Sequence, residues 1–152
     1  MDRRTLLQAG GGVGVLGLLA AAGVISPELA LAANGRAGFD ARELDAALAA
    51  LGAQDAEAGA ALSLSAPDIA EVASAVSIEV VSRVPGTDRI AILVAKNPFP
   101  LAAVFSFPEG TQPEVSTRLK MAESAEVIAL ARAGGRFYMA KKAVSVTIGG
   151  CG

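Results

Sequence analysis

The sequence predicts an all-β protein: an immunoglobulin-like antiparallel β-sandwich of about seven strands, preceded by one helix and followed by a short glycine arm. Three observations carry this expectation. From residue 62 onward, apolar residues recur with a period of two. Turn signals break that pattern at short intervals, at Pro85-Gly86, Pro98, Pro108, Gly110 and Gly134-Gly135. A helical period occurs once in the mature region, ahead of the first strand. The chain has one cysteine and no tryptophan, so the Cys-Trp-Cys pattern of antibody domains is absent and the likeness is architectural.

Taken in order, residues 33–38 read as a loose leader. "FDARELDAALAAL" follows as a helix, with Leu44, Leu48 and Leu51 on one stripe. Asp40 is placed to cap its first turn, with Glu43 three residues on as in a capping box. "GAQDAEAGA" is a polar connector of small residues. "ALSLSAP" sets Leu62 and Leu64 on one side. "SAVSIEVVSRV" sets Val76, Ile78, Val80 and Val84 on one face, opposite Ser77, Glu79, Val81 and Arg83. "RIAILVAK" is apolar on both faces, as a central strand requires. "NPFP" ends it, because proline donates no ladder hydrogen bond. "LAAVFSF" is the next strand. "EVSTRLKM" puts Val115, Thr117, Leu119 and Met121 on one side. "AEVIALARA" and "RFYMAKKAVSVTI" flank the glycine pair and complete the set.

The first 32 residues read as a cleaved export signal. Arg3 and Arg4 precede an apolar run from Ala9 to Ile25, and Ala30-Leu31-Ala32 has the small-residue form of a cleavage site. The alternative is a transmembrane anchor, but the run is 17 residues long and holds six glycines, which is marginal for spanning. The arginine pair points to the twin-arginine route, with the ordinary secretory route as the alternative because Asp2, Leu6 and Gln8 depart from the usual motif, and the expected location is the periplasm. Three segments result: the signal over 1–32, a helix-plus-sandwich domain over 33–148, and an arm over 149–152. No membrane association is expected after cleavage.

Composition excludes several functions. Without histidine the chain lacks the commonest general base and metal ligand, and with one cysteine a zinc site would need mostly carboxylates. No metal and no cofactor is expected. A net charge of −2 gives no basic surface for nucleic acid. Asp40, Glu43 and Asp45 belong to a helix start and do not form an acid/base couple.

The lone Cys151 sits in "VTIGGCG", between Gly150 and Gly152 and behind Gly149. Glycine gives such a tail wide conformational freedom and a thin profile. The residues offer the thiol no activation: the nearest cation in sequence is Lys142, the nearest charge is the terminal carboxylate, and no histidine exists. Cys151 is therefore expected to be acted on by a partner's active site, and the chain is not expected to be an enzyme. An odd cysteine in an exported protein also fits an intermolecular bond.

The tail, together with "APDIAE", "KNPFP" and "VSTRLKMAESAEV", resembles the SoxY family of sulfur carriers in periplasmic thiosulfate oxidation. One glycine follows Cys151 where the family has two. The resemblance implies an immunoglobulin-like fold and a carrier role for Cys151, which would hold sulfur intermediates as covalent adducts. It implies a SoxZ-like β-sandwich subunit as partner. It also implies a haem-containing enzyme that conjugates thiosulfate, a hydrolase that releases sulfate and, in some systems, a sulfane dehydrogenase. The alternative reading is an exported binding or scaffold module with an incidental thiol. Arg118 and Lys120 are read as a solvated strand face. Phe99, Phe105, Phe107, Phe137 and Tyr138 are read as core or subunit interface.

Overall fold

A computed structural model describes residues 36–147. Residues 36–40 are helical, where a loose leader was expected. After a break, helix α1 spans Leu44–Leu51 and ends on Gly52, whose φ of 74° closes the helix in the left-handed region. The expected capping box does not form: the helix begins after Glu43, and no side chain caps it. Asp40 belongs to the preceding helical segment, so its carboxylate does not cap the first turn. The leucine stripe does form. Leu44, Leu48 and Leu51 pack around the fully buried Ala47 onto the sheet below.

Nine strands follow. They are β1 (Glu57–Ala58), β2 (Leu62–Ser65), β3 (Ile69–Ala70), β4 (Val76–Ser82), β5 (Thr87–Val94), β6 (Leu101–Ser106), β7 (Glu114–Leu119), β8 (Ala125–Ala133) and β9 (Arg136–Val146). One sheet has the order β1-β9-β8-β5-β6, with β3 also paired to β9, and the other has the order β2-β4-β7. The seven expected strands are β2 and β4 to β9, and every pairing among them is antiparallel. The two unexpected strands, β1 and β3, are two residues long and run parallel to β9. Two residues carry no readable period, and their pairing is imposed by the β9 edge.

The large sheet lies between two apolar layers, and this explains the unbroken hydrophobic run of its central strands. Along β5, Ile90, Ile92 and Val94 face the small sheet, while Ala91 and Leu93 face α1. β8 divides the same way, with Val127, Ala129 and Ala131 inward and Ile128 and Leu130 toward the helix. Val76, Ile78, Val80, Val115 and Leu119 close the core from the small sheet. Burying each of the larger aliphatic side chains stabilises the fold by about 1.5–3 kcal/mol.

Two details differ from the periodic reading. β4 ends at Ser82, which takes the inward position after Val80, and Val84 lies beyond the strand, half-buried. Phe99 is exposed and carries the Arg42 guanidinium 5.2 Å above its ring, a cation–π contact in place of core packing. Phe105, Phe107 and Tyr138 pack against the inter-sheet core, and Phe137 packs under α1. Arg118 and Lys120 are exposed.

Candidate functional site

Cys151, the arm glycines Gly149, Gly150 and Gly152, and the signal residues Arg3, Arg4, Ala30 and Ala32 lie outside the described residues. What is described is the root of the cysteine tail, the end of β9 as far as Thr147. β8 begins at Ala125, opposite Val144, so β9 outruns its neighbour by the length of Ser145 and Val146. Both edges of that overhang are held by other partners.

On one edge, β3 pairs Ile69 with Ser145 and Ala70 with Val146. The Ser145 amide donates to the Asp68 carbonyl at 2.9 Å, and the Thr147 amide donates to the Ala70 carbonyl at 3.2 Å. On the other edge, the Ser124 hydroxyl accepts from the Val146 amide at 2.8 Å and faces the Val146 carbonyl at 3.4 Å. A strand end without a neighbour would leave these groups to water. Here one short strand and one serine satisfy them, and the fold is fixed as far as Thr147.

The clamp is itself anchored. The Met121 amide donates to the Ala73 carbonyl at 2.8 Å, tying the segment after β3 to the segment before β8. Asn97 spans the latter from the β5–β6 turn: its amide donates to the Lys120 carbonyl, and its side-chain oxygen accepts from the Ala122 amide, both at 2.8 Å. Thus "APDIAE", "KNPFP" and "LKMAES" meet at one end of the sandwich, around the root of the tail. Sequence reasoning identified these three segments but not their convergence, nor the roles of Ser124, Asn97 and Ala70. The Asn-Pro pair was legible as a strand end. That its amide bridges two backbone groups 23 and 25 residues away was not.

Two ion pairs lie near the root, both partly solvated. Lys142, the cation nearest the cysteine in sequence, lies 3.1 Å from Asp68, and Lys96 lies 3.6 Å from Glu123. Each pair contributes at most about 1 kcal/mol. Among the described residues, no group of three His, Cys, Asp or Glu side chains is placed to hold a metal ion.

The perturbed charges lie at the opposite end of the sandwich. Asp88 accepts two hydrogen bonds from Arg132, at 2.9 and 2.7 Å, and these hold its carboxyl below the usual carboxylate range against the opposing effect of burial. Burial lowers the pKa of Arg89, as does repulsion from Arg132. Asp88 lines an open depression of about 610 Å³ with Ser82, Thr87, Phe107 and Pro113. The two hydroxyls there are bonded to each other at 2.8 Å. Asp88 is engaged by Arg132 and the two hydroxyls by each other, so the polar groups at this end are held in structural pairs.

The sequence profile of the family described as "Sulfur oxidation protein SoxY" matches residues 47–151. Among solved structures, the chain is similar to the sulfur carrier protein SoxY from Chlorobium limicola f thiosulfatophilum. The two share 35% identity with a TM-score of 0.56, over 60% of this chain and 84% of that one. No match was found among curated proteins.

Proposed function

Because this chain belongs to the SoxY family of sulfur oxidation proteins, we propose that it is a covalent carrier of sulfur intermediates in thiosulfate oxidation, with Cys151 as the attachment point. The observation that carries this reading is the extent of the family match, which runs from α1 through every strand and ends on the lone cysteine. The clamped end of β9 supports it, since a tethered thiol is presented reproducibly only if its tether leaves from a fixed point.

In the proposed cycle the Cys151 thiol gives up its proton and bonds to the outer sulfur of thiosulfate. The two electrons released pass to a haem-containing partner. A hydrolase then adds water across the terminal bond of this adduct. Sulfate and two protons leave, and a persulfide remains on the cysteine. In systems with a sulfane dehydrogenase, that sulfur is oxidised further before a second hydrolysis. Sulfur–sulfur links of this kind are reversible and open to nucleophilic attack, as a carrier requires. The chain itself performs no turnover; each activating group belongs to a partner. A SoxZ-like β-sandwich subunit accompanies it, and Arg3 and Arg4 direct its export to the periplasm. Among the described residues, no helix is long and apolar enough to cross a membrane.

Cys151→Ser tests this reading. In a reconstituted system it should abolish thiosulfate oxidation while the thermal midpoint and the affinity for the β-sandwich subunit stay at wild-type values. Retained oxidation would overturn the carrier role.

A further inference from the structure

We propose that the open edge of β7 joins two copies of this chain, the strands running antiparallel about a two-fold axis at Ser116, so that Glu114 of each copy faces Arg118 of the other. The proposal rests on the described sandwich alone and stands apart from the carrier reading.

β7 is the last strand of the small sheet, and among the described residues only β4 pairs with it. An edge strand of this kind presents unpaired amides and carbonyls to a neighbour. The bonds at the two ends of the ladder identify these groups. The Ser82 amide donates to the Pro113 carbonyl, and the Met121 amide donates to the Ala73 carbonyl. The odd-numbered residues therefore turn their backbone groups to β4 and the segment before it, and Glu114, Ser116, Arg118 and Lys120 turn theirs to the open edge. The Asn97 side chain bonds the Lys120 carbonyl on that edge, and the Glu114 amide is satisfied by the Gln112 carbonyl. The Glu114 carbonyl, the Ser116 amide and carbonyl and the Arg118 amide are left for a neighbouring strand.

Charge selects the occupant. The other edge strands of more than two residues, β2 and β6, carry no charged side chain. On β7, Glu114, Ser116 and Arg118 share the exposed face, while Val115 and Leu119 are buried. Neither charge lies in an ion pair among the described residues. A matching strand needs a guanidinium opposite Glu114 and a carboxylate opposite Arg118, and an antiparallel copy of β7 is such a strand. With the two-fold axis at Ser116, each Ser116 amide donates to the Ser116 carbonyl of the other copy, and each Arg118 amide donates to the other copy's Glu114 carbonyl. Both Glu114–Arg118 pairs then lie directly across the strands, where opposite charges attract. Moving the axis to Glu114 or to Arg118 sets like charges against each other and disfavours those registers. Charges on an edge ordinarily keep strands apart; here they exclude the wrong registers and admit one. An edge of six residues is a small contact beside the about 1,200–2,000 Å² of stable complexes, so the dimer is weak and depends on concentration.

The experiment is a charge swap read by sedimentation equilibrium, on the full chain alone and bound to its β-sandwich subunit. Reductant is present throughout, so that Cys151 forms no disulfide between copies. Wild type is expected to pass from monomer to dimer as concentration rises. Glu114→Arg and Arg118→Glu each convert two attractive cross-strand pairs into two repulsive ones, so each should raise the dimer Kd at least about tenfold. The double variant Glu114→Arg/Arg118→Glu restores the complementarity and should return the Kd to within about threefold of wild type. Both side chains are exposed, so the thermal midpoint of the monomer should not change. A wild type that stays monomeric up to its solubility limit overturns the proposal. Single variants with an unchanged Kd, or a double variant no better than the singles, also overturn it. If the β-sandwich subunit abolishes the dimer and Arg118→Glu weakens the binding of that subunit, the edge belongs to the subunit and the proposal falls.

Discussion

Asp88 and Arg132 make the one two-point ion pair among the described residues, and they sit beside a second arginine, Arg89, whose Nε is buried without a partner. Replacing Asp88 by asparagine leaves two neighbouring guanidinium groups without the carboxylate. Since the Asp88 side chain is 47% exposed, the expected loss is about 1 kcal/mol at neutral pH, read as a lower urea midpoint. Asp88 has a folded-state pKa below its ordinary value of 3.8. Its contribution is therefore present above that value and lost as pH falls through the lower folded-state value. Wild type and Asp88→Asn should differ most near neutrality and converge in acid; a gap that widens in acid would contradict the assignment. Ser82 shows a buried polar residue whose needs are met locally. The Thr87 hydroxyl donates to the Val84 carbonyl at 2.7 Å, so Ser82 donates to Thr87 at 2.8 Å. Alternation along "VSIEVVSRV" located the inward face, but it could not show that a serine on that face would find a hydroxyl five residues on.

At the scale of elements, the hairpin that generates β9 depends on Gly134 and Gly135. Their φ values of 58° and 76° place both turn positions in the left-handed region, as a two-residue connection between twisted strands requires. A Cβ added at Gly135 would meet no atom within 4 Å. Gly135→Ala should therefore lower stability through backbone strain alone, by about 1 kcal/mol, and Gly135→Asn by less. Equal losses in the two variants, measured by chemical denaturation, would point to some other cause. The glycine pair was legible as a turn because only glycine takes both positions cheaply. The seven longer strands were legible because each presents at least one apolar face at period two. β1 and β3 were not: a two-residue strand exists only through the partner it meets. The helix cap failed for a related reason, since Asp40 has the right chemistry but belongs to a separate helical segment.

For the whole molecule, the order of layers explains why the site is where it is. α1 covers one face of the large sheet and the small sheet covers the other, so β9 is held along its length and its end is left at the rim. The rim is then closed by the three segments that carried the family resemblance. Their sequence likeness was readable from the chain, whereas their common location depends on contacts up to 77 residues apart. On the proposed carrier reading, such a domain does its chemistry through others, and its central property is what Cys151 carries. The most direct measurement is the intact mass of the C-terminal peptide after the full-length protein is incubated with thiosulfate and the haem-containing conjugating enzyme, before and after reductant. A mass gain equal to a bound thiosulfate, confined to Cys151 and removed by reductant, is the expected result. A bare thiol under the same conditions, with the enzyme shown to be active on another SoxY protein, would contradict the carrier function.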